Sequence, residues 1–125
     1  MNSNLVSIMD KFEQSWLTQS QSNSGLKWIG LSDKTTLGTY TWSNSDKVDF
    51  TNWDRNKPDQ SEGRCIAMNS AGFWSNYNCS SKFQSICMAY NYLYTTPTTP
   101  STPPPPKCAS DWTEQDSNCY KVDAL

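Results

Sequence analysis

The sequence predicts an α+β domain of short antiparallel strands, with one flanking helix, a long polar loop and stabilising disulfides. Three observations lead there. An apolar stripe at a spacing of four marks one helix near the start of the chain. Several short aromatic and aliphatic runs, separated by Gly, Asn and Pro breakers, mark strands. Five cysteines without a CxxC spacing point to structural disulfides rather than to zinc.

The elements follow in order. Leu5 to Ile8 alternates in the β manner. Asp10 fits a helix N-cap, with Glu13 three residues on as a variant of the capping box. Ile8, Phe12 and Trp16 form the expected inner stripe, with Met9 and Leu17 beside them. The helix is expected to end near the polar run 19–24, and Gly25 punctuates the exit. Trp28-Ile29-Gly30-Leu31 reads as a buried strand, and Tyr40 to Trp42 as another after a turn near Gly38. Residues 43–64 are long and polar, broken by Pro58 and Gly63. A loop of that length inside a compact domain usually serves function. Cys65 to Met68 and Phe73-Trp74 read as strands around a turn at Asn69 to Gly72, and Phe83 to Met88 as a closing strand. Trp28, Trp42 and Trp74 are expected in the core, and Trp53 as an anchor of the loop. Phe73 and Tyr77 are expected beside the loop, partly buried.

From Thr95 the composition changes abruptly to Thr, Ser and Pro. Such a stretch does not pack a core and extends roughly 40 Å at about 3.1 Å per residue. Its Thr residues suit O-glycans. Structure is expected to resume at Cys108, with Trp112, Cys119 and Tyr120. The expected organisation is therefore a domain over 1–90, a linker over 91–107, and the start of a second domain over 108–125, too short to bury a core alone.

Composition narrows the function. The formal net charge is −2, with no clustered Lys and Arg of the kind a nucleic-acid surface needs. The chain has no histidine, which removes the usual general base and the usual zinc ligand. No activated nucleophile or paired acid is visible, so an enzyme is not expected. No apolar run reaches the length of a membrane span. Abundant Ser, Thr, Asn and Gln with six Trp suit an extracellular binding module. The first residues lack the basic start and apolar run of a signal peptide, so the natural chain is expected to continue upstream of Met1.

The ordered landmarks resemble the C-type lectin-like family. They are Leu5-Val6-Ser7-Ile8 with Glu13, Trp28 to Leu31, Trp42, Asn52-Trp53, Pro58, Cys65, Trp74, Cys79 and Ile86-Cys87. The match runs from about residue 5 to 90. Cys108, Trp112 and Cys119-Tyr120 are similar to the opening hairpin of the family's long form. The resemblance implies the C-type lectin-like fold and two disulfides, Cys65–Cys79 and Cys108–Cys119. It implies that Cys87 stands unpaired, because its usual partner lies in a helix upstream of the Leu-Val-Ser-Ile strand. It also implies a missing first strand, which in the family pairs with the last one. An exposed edge is then expected near Ile86 to Tyr90.

Family members that bind sugar do so through calcium. The implied ligand positions fall here on Lys57-Pro58-Asp59, Glu62 and Trp74-Ser75-Asn76. Asp59, Glu62, Ser75 and Asn76 are the candidate ligand-binding residues, and Asp59, Glu62 and Asn76 the candidate metal ligands. Asp59 takes the position of the galactose-type Asp. Lys57 puts an ammonium where calcium needs oxygen, so calcium is expected to bind weakly. Pro58 is expected to shape the loop, with a cis bond as in the family. Asn78-Cys79-Ser80 forms a glycosylation sequon with a disulfide cysteine at its centre. The implied function is carbohydrate or ligand binding by a secreted multi-domain protein with a degenerate calcium site. The alternative is calcium-independent protein recognition. The expected partner is a glycan or an extracellular protein, and a spacer role for the linker would add avidity.

Overall fold

In the computed structural model the described residues are 4–20, 25–90, 108–116 and 118–123. The expected linker, residues 91–107, lies outside them, as does most of the polar run after the helix. Helix α1 spans Lys11–Ser20. Its start follows from Asp10, whose Oδ1 accepts the Glu13 amide at 2.8 Å and so satisfies one of the orphan N–H groups of the first turn.

The strands are β1 (Asn4–Leu5), β2 (Lys27–Thr36), β3 (Thr39–Trp42), β4 (Cys65–Met68), β5 (Trp74–Tyr77), β6 (Gln84–Tyr90), β7 (Thr113–Gln115) and β8 (Asn118–Asp123). They share one sheet of order β5-β4-β2-β6-β8-β7, with β3 also on β2 and β1 also on β6. Strand β2 is its centre, antiparallel to β3 and β4 and parallel to β6. Position 30 of that strand leaves little room for a side chain. A Cβ there would lie 2.8 Å from Ser43 Oγ and 3.0 Å from the carbonyls of Leu5 and Val6. The close approach lets the Gly30 amide donate to Val6 O, and the Ser43 amide to Gly30 O, each at 2.8 Å.

The core centres on Trp74, fully buried with Leu17, Ile66 and Met68 around it. Its ring meets Trp42, Phe50 and Trp53 edge to face at centroid distances of 5.6, 5.9 and 5.8 Å. These aromatics add large buried surfaces to an otherwise aliphatic core. The Trp74 indole N–H donates to Gln14 Oε1 at 2.8 Å, which keeps a buried donor satisfied.

That bond explains the first correction. Phe12 is 72% exposed rather than part of the inner stripe. The helix begins after Ile8, so Ile8 does not share its period. Gln14 and Leu17 form the buried face, with Gln14 drawn inward by the indole it serves. Trp28 is half-buried rather than core. Ile29 and Leu31 take the inner face of β2, and Trp28 packs on the other face against Phe83 at 4.8 Å. The Phe73-Trp74 strand starts one residue later and runs to Tyr77, leaving Phe73 43% exposed at the turn. Tyr77 packs edge to face on Phe83.

The largest correction concerns the last strand. The edge expected to be open at Ile86 to Tyr90 is covered. Strand β8 runs antiparallel along β6, from Ser85↔Asp123 to Tyr90↔Asn118, and β7 pairs with β8 outside it. Tyr120 is buried with its ring centroid 5.0 Å from that of Trp16. The backbone groups that β6 would leave unpaired are met by a hairpin from the far end of the sequence.

Candidate functional site

The long loop leaves β3 at Trp42 and returns at β4 through a short 3-10 turn, Gln60–Glu62. Its path is pinned from both ends. Asn44 donates to Ser7 Oγ and to Asp46 Oδ2, and the Ser7 hydroxyl donates to the same Asp46 oxygen at 2.6 Å. Trp53 bridges to Trp74 and stacks edge to face on Tyr40 at 5.0 Å. The Lys57–Pro58 peptide is cis. A disulfide joins Cys65 to Cys79, fastening the loop's exit to the chain after β5.

Asp59 and Asn76 meet here and Glu62 pairs with Lys57 of the same loop, whereas Ser75 leaves β5 on the face opposite Asn76. Asp59 caps the 3-10 turn, its Oδ1 accepting from the Ser61 amide at 3.0 Å and the Ser61 hydroxyl at 2.6 Å. These bonds, with the Lys57 ammonium, hold its carboxyl below the usual range. The Asp59 amide donates to Asn76 Oδ1 at 2.6 Å. Asn76 is buried and its Nδ2 donates to Tyr40 Oη at 3.0 Å and to Gly63 O at 3.2 Å. Ser75, next to it on β5, is buried too and opposes Ala67 of β4. Glu62 forms an ion pair with Lys57, whose side chain is only 19% exposed.

Two anchors of this arrangement were not visible in the sequence pattern. Tyr40 positions Asn76 through its hydroxyl, and burial raises the Tyr40 pKa. Gly63, at φ +151°, lies against the backbone of β5's end, where a Cβ would sit 2.1 Å from the Tyr77 carbonyl. The turn is braced from behind by Arg64, whose Nε donates to Asp33 Oδ1 at 2.8 Å. Burial pushes the Asp33 pKa up, but the Gly38 amide and the Arg64 guanidinium outweigh it and hold the carboxylate ionised. A lone Gly two residues before a Cys, and a Tyr in a strand, gave the only sequence signals for these roles.

A calcium ion takes six to eight oxygens, several of them charged. The residues here do not fit that shell. The Glu62 carboxylate is matched by Lys57, the Asn76 oxygen by the Asp59 amide, and one Asp59 oxygen by Ser61. Among the described residues no group of three His, Cys, Asp or Glu side chains converges as metal ligands do. The arrangement offers instead a rigid polar surface, set by internal hydrogen bonds on a disulfide-fixed loop.

Comparison with known proteins gives this surface a context. Residues 1–89 match the model of the Lectin C-type domain. Human C-type mannose receptor 2 is 31% identical over 132 residues, covering 96% of this chain and 9% of the receptor. The human low affinity immunoglobulin epsilon Fc receptor is 36% identical over 84 residues, covering 66% of this chain and 26% of that protein. The chain thus spans a small part of either relative. A solved calcium-independent type II antifreeze protein superposes with a TM-score of 0.63 at 27% identity, over 68% of this chain and 66% of that one.

Proposed function

The chain belongs to the C-type lectin domain family, and from that premise we propose that its long-loop face recognises an extracellular ligand without a bound calcium ion. The observation that carries the reading is the Lys57–Glu62 ion pair beside the Asp59–Asn76 hydrogen bond. A cation entering there would have to displace an ammonium and break that bond. Relatives of the family support the reading by their names: one is a receptor for an immunoglobulin, and one similar structure is described as calcium-independent. The fold therefore serves without the ion in at least one similar protein. No step of bond making is involved; recognition rests on polar groups presented by a fixed loop.

Arg55, Gln60, Ser61 and Glu62 of this face are exposed, with half of the Glu62 side chain open to solvent and Asp59 partly so. They suit a partner carrying hydrogen-bond donors and a matching charge pattern, as a protein surface does. The two disulfides fit a secreted protein. A second reading, glycan binding through a degenerate calcium site, rests on Asp59 standing at the galactose-type position. Retention on immobilised galactose and mannose, with calcium and with chelator, separates the two. The proposal expects no calcium-dependent retention on either sugar. Retention that the chelator abolishes would replace it with the glycan reading.

A further inference from the structure

The face of β2 turned away from the core carries a furrow of its own. Side chains alternate along a strand, so Ile29 and Leu31 enter the core while Trp28 and Ser32 stay half-buried and Lys34 is exposed. Two depressions lie along this side, with volumes of about 240 and 610 Å³, and they share Ser32, Lys34 and Ser43. The first runs past Trp28 and Gly30, with the Cys65–Cys79 disulfide in its wall. The second continues past Thr41 and Ser45 to Asp46 and has the volume of a small-ligand site. A peptide does not add to β2 as a further strand, because β3, β4 and β6 already use its two edges.

We propose that this furrow binds a saccharide bearing a carboxylate or sulfate group, through residues other than those that join Asp59 to Asn76. The Lys34 ammonium has no ion-pair partner among the described residues and is the cation that meets the anionic group. Asp46 opposes it little, because its Oδ2 already accepts from Ser7 and Asn44. Ser32, Thr41, Ser43 and Ser45 line the furrow with hydroxyls, which donate and accept as sugar hydroxyls do. The open part of the Trp28 indole offers a flat apolar surface to a sugar ring, and Phe83 and Tyr77 hold that indole at centroid distances of 4.8 and 6.5 Å. Trp42, 3% exposed, also lines the larger depression, and its indole N–H finds no acceptor among the described residues. Buried donors are rarely left so, and a ligand oxygen lodged against Trp42 supplies one.

Amide-resolved NMR titration of the isotopically labelled full chain tests this, with a chelator present so that calcium at the long loop plays no part. The probes are a hyaluronate tetrasaccharide, which carries carboxylates, and a chondroitin sulfate tetrasaccharide, which adds sulfates. At least one should give saturable shifts at Gly30, Ser32, Lys34, Thr41 and Ser43 and at the Trp42 indole N–H, with a Kd on the order of 1 mM or tighter. Neutral chitotetraose should bind at least about fivefold more weakly, and Lys34→Gln should weaken the acidic sugar about fivefold while Lys34→Arg keeps it. Lys34 is exposed, so the spectra of both variants should otherwise match that of the unaltered chain. No saturable shift in the unaltered chain, shifts gathered at Asp59 and Asn76 instead, or unchanged affinity in Lys34→Gln would overturn the proposal. An oligoglutamate peptide that moves the same amides as tightly would replace the saccharide with an acidic peptide.

Discussion

At the long loop, polar side chains answer one another singly: Lys57 with Glu62, Asn76 with the Asp59 amide, Ser61 with Asp59. At the β6–β8 seam, a whole strand answers another, with a ladder in register and a buried Tyr on the helix. Both are places where the family resemblance implied a partner from outside the segment, an ion at one and an N-terminal strand at the other. In both, a part of this chain stands there. The energetics differ. Half-exposed ion pairs contribute little in water, whereas a paired strand with buried side chains stabilises cooperatively. The loop should therefore tolerate change that the seam does not.

The largest expected effect sharpens that contrast at the seam. Tyr120→Ala removes a side chain 4% exposed and should lower stability by about 3–4 kcal/mol in urea unfolding. A loss under about 1 kcal/mol would mean that the hairpin does not dock. Next comes the one loop position governed by backbone contact. Gly63→Ala would drive a methyl into the Tyr77 carbonyl and should cost about 2–3 kcal/mol.

A smaller effect follows pH. Glu13 faces Tyr120 across the seam; burial first, then the Asp10 carboxylate, raises its pKa to about 7 from 4.5. Asp116 and Asp46 push in the same direction. The folded state then keeps a proton that the unfolded chain releases, so stability should fall as pH rises from about 4.5 to about 7. Thermal unfolding should show a higher midpoint near pH 5 than near pH 7.5, and Glu13→Gln should flatten the difference. Asp33 works in the opposite sense, its lowered pKa withdrawing stability only at pH below the ordinary Asp range. The smallest effect is Lys57→Gln, which breaks a partly exposed ion pair and should change stability by less than about 1 kcal/mol.

Legibility in the sequence followed locality. Strand β4 and the start of helix α1 were readable because a cap, a turn and a two-residue period are short-range signals. Phe12 misled because the apolar spacing ran across the helix start, and because nothing in a periodicity says that a Gln will be buried to serve an indole. The closing of the β6 edge was not readable either. A strand's partner more than a linker away leaves no mark in its own pattern. At the site, Asp59, Glu62, Ser75 and Asn76 are candidates named through the family's order of landmarks, and the loop brings Asp59 to Asn76. Tyr40 and Gly63, which hold Asn76 from behind, escaped because a single hydroxyl and a single glycine carry no spacing.

Calorimetric titration with calcium, on the unaltered chain and on Lys57→Gln/Ser75→Asn/Asn76→Asp side by side, tests the central claim most directly. The unaltered chain should give no saturable heat, and the triple variant should gain calcium affinity once oxygen ligands replace the ammonium and the neutral groups. Saturable calcium binding by the unaltered chain, with a rise in its melting temperature, would contradict the account.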